Sequence, residues 1–272
     1  MMIKSLYRHR YGRVLLYGMT RPRVSRAAGR YMDSKASRRW IKPFVRKNHI
    51  DLSDCVVEDW KSFNAFFTRS LKPGVRPIDR RPMSAIAPCD GLLTAVSIGE
   101  DNVVFVKGTP YTVESLLENP REARRFVGGV MLIYRLTPKH YHHYVYPDDC
   151  VQEGEVVIPG ILHTVQPHAL KSYPVYKTNS REYAILHTRR FSDVCFMEVG
   201  AMMVGRIKNL HQTGSFKRGD EKGMFEFGGS TIILLYQKDA LKLDESIWRE
   251  SAAGRETPVK LGQRVGSAIR RP

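Results

Sequence analysis

GGSTIILLYQ, residues 228–237, opens on a glycine pair, passes through Ser230 and Thr231, and then runs apolar for five residues. An apolar run entered through a turn reads as a β-strand. The same texture recurs outward: LLTAVSI (92–98), NVVFVKG (102–108), GVMLIYRL (129–136), EGEVVIPG (153–160), EYAILHT (182–188) and VCFMEVGAMMVGRI (194–207). Turn residues separate these runs, so the bulk of the chain reads as strand-rich. One helical piece, TVESLLENPREARRF (112–126), interrupts it. Residues 59–71 read as a further helix, with Ser62 as its N-cap and Phe63, Phe66 and Phe67 on one apolar side. Pro73 and Gly74 end it. Residues 250–272, polar and glycine-containing, read as a flexible tail. There is no internal repeat.

Ahead of the strands the composition changes. Residues 1–50 carry fourteen lysines and arginines against one acid, Asp33, a net +13 of the chain's +17. Leu6, Val14, Leu15, Trp40, Ile41 and Phe44 are interleaved with these charges, and Pro22 and Pro43 divide the segment into short helices. Such a segment suits an anionic membrane surface, nucleic acid, or simply a solvated basic face. The expected architecture is α+β: short basic amphipathic helices over 1–50, then a barrel- or sandwich-like core over 51–272. At 42% hydrophobic residues the chain can bury a core, which excludes a disordered tail. Cys55, Cys89, Cys150 and Cys195 stand singly, which fits free thiols rather than a disulfide framework. No apolar run approaches the ~20 residues that span a bilayer.

Three segments carry candidate chemistry. In KRGDEKGMFEFGGSTIILL (217–235), Ser230 Oγ can attack the carbonyl of Gly229. Gly228 and Gly229 tolerate unusual backbone angles and leave that carbonyl uncrowded. Read alone, the same residues are a tight turn feeding a strand. In SAIAPCDGLLTAV (84–96), Asp90 sits in a turn, either bonding its own backbone or holding a carboxylate that orients a histidine. In LTPKHYHHYVYPDD (136–149), His140 and His142 share one face of a strand and Tyr141, His143 and Val145 the other. These are half-buried strand histidines, a zinc or iron pair lacking further ligands, or general acid–base groups. His163 and His168 stand at no diagnostic spacing for a metal site.

Taken together the segments resemble the phosphatidylserine decarboxylase family. The resemblance runs from about residue 10 to 238. It rests on FNAFFTRSLKPGVRPID (63–79), APCDG (87–91), HYHHY (140–144), IPGILHTVQP (158–167), NSREY (179–183), EVGAMMVGRI (198–207) and KRGDEKGMFEFGGST (217–231). It implies a carboxy-lyase that cuts itself between Gly229 and Ser230, giving a β chain of 1–229 and an α chain of 230–272. Ser230 becomes a covalent pyruvoyl group, that is, bound pyruvate. This forms a Schiff base with phosphatidylserine and releases CO2 and phosphatidylethanolamine, with no metal and no dissociable cofactor. The resemblance matches the family's aspartate to Asp90 and its first motif histidine to His142, the base that Asp90 orients. One family branch has a second histidine where this chain has Val145. The motif here is nearer a His-Tyr-His-Arg-Tyr branch, with His143 in place of the Arg. The implied setting is peripheral on the cytoplasmic side of the cell membrane, the α and β chains forming a heterodimer that itself pairs, with no nucleic-acid partner. The Arg-rich start then reads as part of the domain rather than a removed leader. Three other readings stay open. One is the same chemistry on another serine lipid or a free amino acid. Another is a metal-dependent barrel enzyme using His140 and His142. The third is a basic binding module, which leaves GGST unexplained.

Overall fold

The computed structural model describes residues 20, 22–56, 59–106, 108–165, 169, 174–201, 206–227 and 230–269. Its first elements are α1 (Pro22–Asp33), a 3-10 helix (Lys35–Trp40), α2 (Ile41–Asn48) and α3 (Phe63–Phe67). Pro22 is the first residue of α1 and Pro43 the third of α2, so neither breaks a helix. A proline in the first turn removes an N–H that has no helical partner anyway. Ser62 caps α3 as expected, accepting from the Ala65 N–H at 3.1 Å. The helix is far shorter than 59–71, because Leu71 leaves it to bridge Cys55 in extended pairing.

The strands follow: β1 (Ser84–Ile86), β2 (Gly91–Ser97), β3 (Val103–Val106) and β4 (Thr109–Thr112). The single helical piece expected at 112–126 is two helices, α4 (Val113–Leu117) and α5 (Pro120–Arg124). Glu118 turns left-handed at φ 50° to end the first, and Asn119 caps the second ahead of Pro120. Then come β5 (Val130–Leu136), β6 (His143–Val145), β7 (Cys150–Gln152), β8 (Val156–Ile158), α6 (Val175–Thr178), β9 (Arg181–Thr188) and β10 (Asp193–Val199). The chain continues through β11 (Ile207–Asn209), β12 (Gly214–Phe216), β13 (Glu221–Phe225), β14 (Ser230–Tyr236) and β15 (Leu241–Leu243). It closes with α7 (Glu245–Ala252), β16 (Thr257–Val259) and β17 (Arg264–Ala268). The last two strands replace the expected flexible tail. Val259, Leu261, Val265 and Ala268 are buried there, and that apolar area draws the segment into the fold.

The main sheet is antiparallel, in the order β12-β7-β9-β10-β14-β5-β2-β16, with β8 also paired to β9. Three smaller sheets run β1-β17-β15, β11-β13-β6 and β3-β4, and no barrel closes among the described residues. β14 lies in the middle of the main sheet and every one of its residues is buried. That explains its unbroken apolar run, since both faces are covered. The β11-β13-β6 sheet packs on one of them. Tyr144 of β6 lies 5.9 Å from Phe196 of β10, ring to ring, and Lys222 of β13 bonds Glu198 of β10.

A second, smaller core joins the helices to this body. Ile50, Phe63, Phe66 and Phe67 are buried there, with Phe44, Trp60 and Phe227 packed against them. Phe227 stands 4.7 Å from Phe63 and 6.0 Å from Phe44, edge to face. Among the described residues no helix is long and apolar enough to cross a membrane. All four cysteines are free and buried.

Candidate active site

The two halves of the expected scissile bond fall differently. Gly228 and Gly229 lie outside the described residues, whereas Ser230 is the first residue of β14, fully buried. Among the described residues its Oγ has no hydrogen-bond partner. Ser230 pairs with Leu136, the last residue of β5, and the next strand, β2, begins at Gly91 beside that end. Asp90, the 137–142 loop and Ser230 therefore gather at one end of three neighbouring strands. Glu198 pairs with Ile232, and directly opposed residues share a face, so Ile232 and Ser230 both point toward the layer of β6 and β13.

His142 comes from that layer. It immediately precedes β6, and its carbonyl accepts from the Phe225 N–H. The ring is fully buried, 4.1 Å from the Phe67 ring, and among the described residues neither nitrogen has a hydrogen-bond partner. Burial above all, then the charge of Arg69, pushes its pKa well below the usual histidine value. The ring is thus neutral at physiological pH and holds a free lone pair.

Asp90 is occupied elsewhere. Arg76 Nε and Nη2 donate to its Oδ1 and Oδ2 at 2.8 and 2.7 Å, and the Leu261 N–H donates to Oδ1 at 2.9 Å. It makes no hydrogen bond to His142. The physical reason is local. The guanidinium fork matches a carboxylate two-pronged, while Val145 packs with Ile86 and Leu261 and offers the carboxylate nothing polar. The histidine that feels Asp90 is His140: burial lowers it to about 4 against the opposing pull of Asp90. His140 Nδ1 accepts from the Thr137 N–H at 3.0 Å. His143 is a tie between layers, with Nδ1 2.6 Å from Glu221 Oε1 and Nε2 3.0 Å from the Thr68 carbonyl. Asn179 clasps the backbone of His163, and His168 lies outside the described residues. Among the described residues no three His, Cys, Asp or Glu side chains are grouped as a metal ion would need.

Residues 63–267 match the phosphatidylserine decarboxylase family. The phosphatidylserine decarboxylase proenzyme 2 of Clostridium acetobutylicum is 41% identical over 265 residues, covering 97% of this chain and 91% of the relative. The phosphatidylserine decarboxylase proenzymes of Ruminiclostridium cellulolyticum and Fusobacterium nucleatum are 38% and 36% identical, over 98% and 97% of this chain and 91% and 90% of their own lengths. The chain belongs to the phosphatidylserine decarboxylase family.

Several residues of this family member's site escape a linear reading. Arg76, Arg69 and Asn64 all lie inside the stretch 63–79, yet nothing in their spacing announces a partner. Asn64 is a junction between the basic helices and the cleavage segment. Its Oδ1 accepts from the Phe227 N–H at 3.1 Å and its Nδ2 donates to Asp33 Oδ1 at 2.7 Å. Asp33 also pairs with Arg206, which pairs with Glu226. If the bond before Ser230 is the one cut, Asn64→Leu is expected to slow that cut several-fold, since losing a buried bond costs ~1–3 kcal/mol and frees the chain just before it. Asn64→Asp keeps the acceptor for Phe227 and should cut faster than the Leu variant. The uncleaved fraction on a denaturing gel over time reads the effect, and an unchanged rate in Asn64→Leu rules out this anchoring role.

Proposed function

We propose that this chain is a pyruvoyl-dependent phosphatidylserine decarboxylase that matures by cutting itself between Gly229 and Ser230. The observation that carries this is the Ser230 hydroxyl, wholly buried, without a hydrogen-bond partner among the described residues, and placed at the mouth of the central strand. A buried hydroxyl left unbonded costs ~1–3 kcal/mol, and one at the start of the strand is free to act on the bond before it. It also fits the group to be made there, because the hydroxyl consumed in converting Ser230 holds no hydrogen bond among the described residues.

The steps belong to the chain's own atoms. Ser230 Oγ attacks the Gly229 carbonyl, its proton passing to neutral His142, and the amide becomes an ester with Ser230 N as the new amine. Loss of the Ser230 α-proton expels the Gly229 carboxylate and leaves a dehydroalanine. Water then replaces the nitrogen, which departs as ammonia, and residue 230 becomes pyruvoyl. That group supplies an electron sink through which the substrate's carboxylate leaves as CO2. His142 then returns a proton to the substrate carbon, its low proton affinity making it a willing donor once charged. Asp90 reaches this chemistry through Arg76 and His140 rather than by holding His142.

Cleavage need not separate the pieces. In the 230–272 chain, β14 is bonded to β10 and β5, β16 to β2, and β17 to β1, all within 1–229. The heterodimer is thus one sheet system, and pairing of two such heterodimers remains part of the proposal. The basic helices supply the membrane face. Arg30, Lys35, Arg39, Lys42, Arg46 and Lys47 are exposed there, and Trp40 stands 48% exposed beside them. Each cation near an anionic surface contributes about 1 kcal/mol. This supports peripheral binding on the cytoplasmic leaflet, with 1–50 facing lipid and 51–272 carrying the chemistry.

The mass of the small fragment tests the reading. The expected species is residues 230–272 with a pyruvoyl-blocked N-terminus, in protein that releases CO2 from phosphatidylserine vesicles. An intact, uncut chain with full activity overturns it. Faster turnover of free serine or tryptophan would move the substrate to a free amino acid and leave the cleavage chemistry standing.

A further inference from the structure

The buried arginines of this protein are not alike. Arg135 is paired with Glu256, Arg181 with Glu118 and Arg218 with Asp148, and half-buried Arg76 with Asp90. Arg69 is 4% exposed, and among the described residues no carboxylate pairs with it. Its Nη2 reaches the carbonyls of Lys139 and His140 at 3.3 Å each, both long. Its Nε and Nη1 have no hydrogen-bond partner. One flank rests 5.3 Å from the Phe66 ring. A buried, uncompensated cation costs several kcal/mol, which marks this one as waiting for an anion.

The anion has a place to sit. Arg69 lines a pocket of about 420 Å3, together with Arg76, Asp90, Lys139, His140 and Tyr141. That volume is in the range of small-ligand sites. Asp90 and Asp54, both on its wall, are drawn to Arg76 at 2.7 and 3.6 Å, so they do not answer Arg69. The pocket opens at the Ser230 end of the sheet: Asp90 precedes β2, and Lys139–Tyr141 follow Leu136, the partner of Ser230.

We propose that Arg69 is the phosphodiester-binding residue of this site, holding the headgroup phosphate of a glycerophospholipid while the serine amine meets residue 230. The inference rests on the decarboxylase reading above. It also chooses between the two anions of such a headgroup. A cation clamped on the carboxylate would stabilise the charge that the reaction removes, favouring the ground state over the transition state. The phosphodiester keeps its charge throughout, and a planar guanidinium matches it two-pronged. Binding it equally before and during reaction lowers KM and leaves kcat alone.

The test uses the matured two-chain protein. Arg69→Gln should raise KM for short-chain phosphatidylserine on the order of ten- to a hundredfold, with kcat changed by less than about threefold. Its kcat/KM for O-hexylserine, which has the amine and carboxylate but no phosphate, should stay within about threefold of the parent. A fall in kcat at constant KM, or an equal loss on both substrates, overturns the proposal. A second measurement needs no variant. With the parent protein, glycerophosphoethanolamine should inhibit phosphatidylserine turnover at a concentration at least about tenfold below that of 2-aminoethyl hexyl ether. Equal inhibition by the two overturns it as well. A parent protein that neither cuts itself nor turns over phosphatidylserine defeats the decarboxylase reading instead, and the gel distinguishes that case.

Discussion

Ser230→Ala yields a single uncut chain with no decarboxylase activity and a melting temperature no lower than that of the parent before it cuts. Alanine has no nucleophile for the Gly229 carbonyl and cannot become a pyruvoyl group, so the whole rate acceleration goes, at least about a million-fold. The stability half of the expectation is the sharper one. Most buried hydroxyls are bonded, and removing them strands a partner, but among the described residues Ser230 Oγ has none to strand. Deleting it relieves a buried unsatisfied group at the centre of the sheet, worth about 1 kcal/mol in favour of the variant. His142→Ala gives the contrast. As general base it should slow cleavage by ~100- to 10,000-fold rather than stop it, leaving a chain that ripens on long incubation. Calorimetry and a time-resolved gel read both. A Ser230→Ala protein that still cuts, or a His142→Ala protein that cuts at the parent's rate, removes the residue concerned from the mechanism.

Lys222→Met should be the most damaging substitution away from the reacting residues. Lys222 is fully buried in the layer between β13 and β10, and its Nζ donates to Glu198 Oε1 at 2.6 Å, Glu155 Oε1 at 3.3 Å and Asn209 Oδ1 at 3.0 Å. Asn209 Nδ2 in turn donates to Glu182 Oε2 at 3.1 Å. Removing the cation leaves three carboxylates facing one another, and breaking such a buried pair costs ~3–5 kcal/mol. For a chain of this size that is a fall in melting temperature on the order of 10 °C.

The loss should also depend on pH, with a definite sign. Burial pushes Glu182 up to about 7 and raises Glu198 in the same direction. A carboxylate whose folded pKa is raised binds its proton more tightly folded than unfolded. The stability it lends is therefore present below the ordinary value of 4.5 and is lost as pH rises through about 7. Lys222 is the charge that opposes this rise, so without it the carboxylates hold their protons to still higher pH. The variant's deficit should then be larger at about pH 8 than at about pH 6, and Glu198→Gln in the same chain should recover part of it. A pH-independent deficit would show that packing, not charge, is what Lys222 contributes.

Much of this was legible along the chain. The apolar runs announced β2, β5, β9, β10 and β14 because a buried strand needs little beyond its own residues to be recognised. Gly228-Gly229-Ser230 could be proposed as a reactive bond from sequence because the chemistry is local: three consecutive residues would hold the nucleophile, the carbonyl and the backbone freedom. Family membership followed from seven short strings in order. The helices were read less well. Their ends depend on what the next residues pair with, as Leu71 does with Cys55 and as β16 and β17 do with β2 and β1.

The pairing of charges lay beyond the linear chain altogether. The family resemblance implied that Asp90 and His142 were partners. The folded chain gives Asp90 to Arg76 and leaves His142 bare against Phe67. Nor does the sequence distinguish Arg69, without a carboxylate, from Arg181, which has one. Such contacts join residues tens to more than a hundred positions apart, and strand register and layer packing decide which ones meet. The sequence by itself determined the family and the strand-built body, and it singled out Gly229–Ser230 as the bond proposed for cleavage. Only the tertiary structure decided which buried charges are answered from within the protein and which are left for a ligand, because the energy of a buried charge depends on the groups that reach it in space.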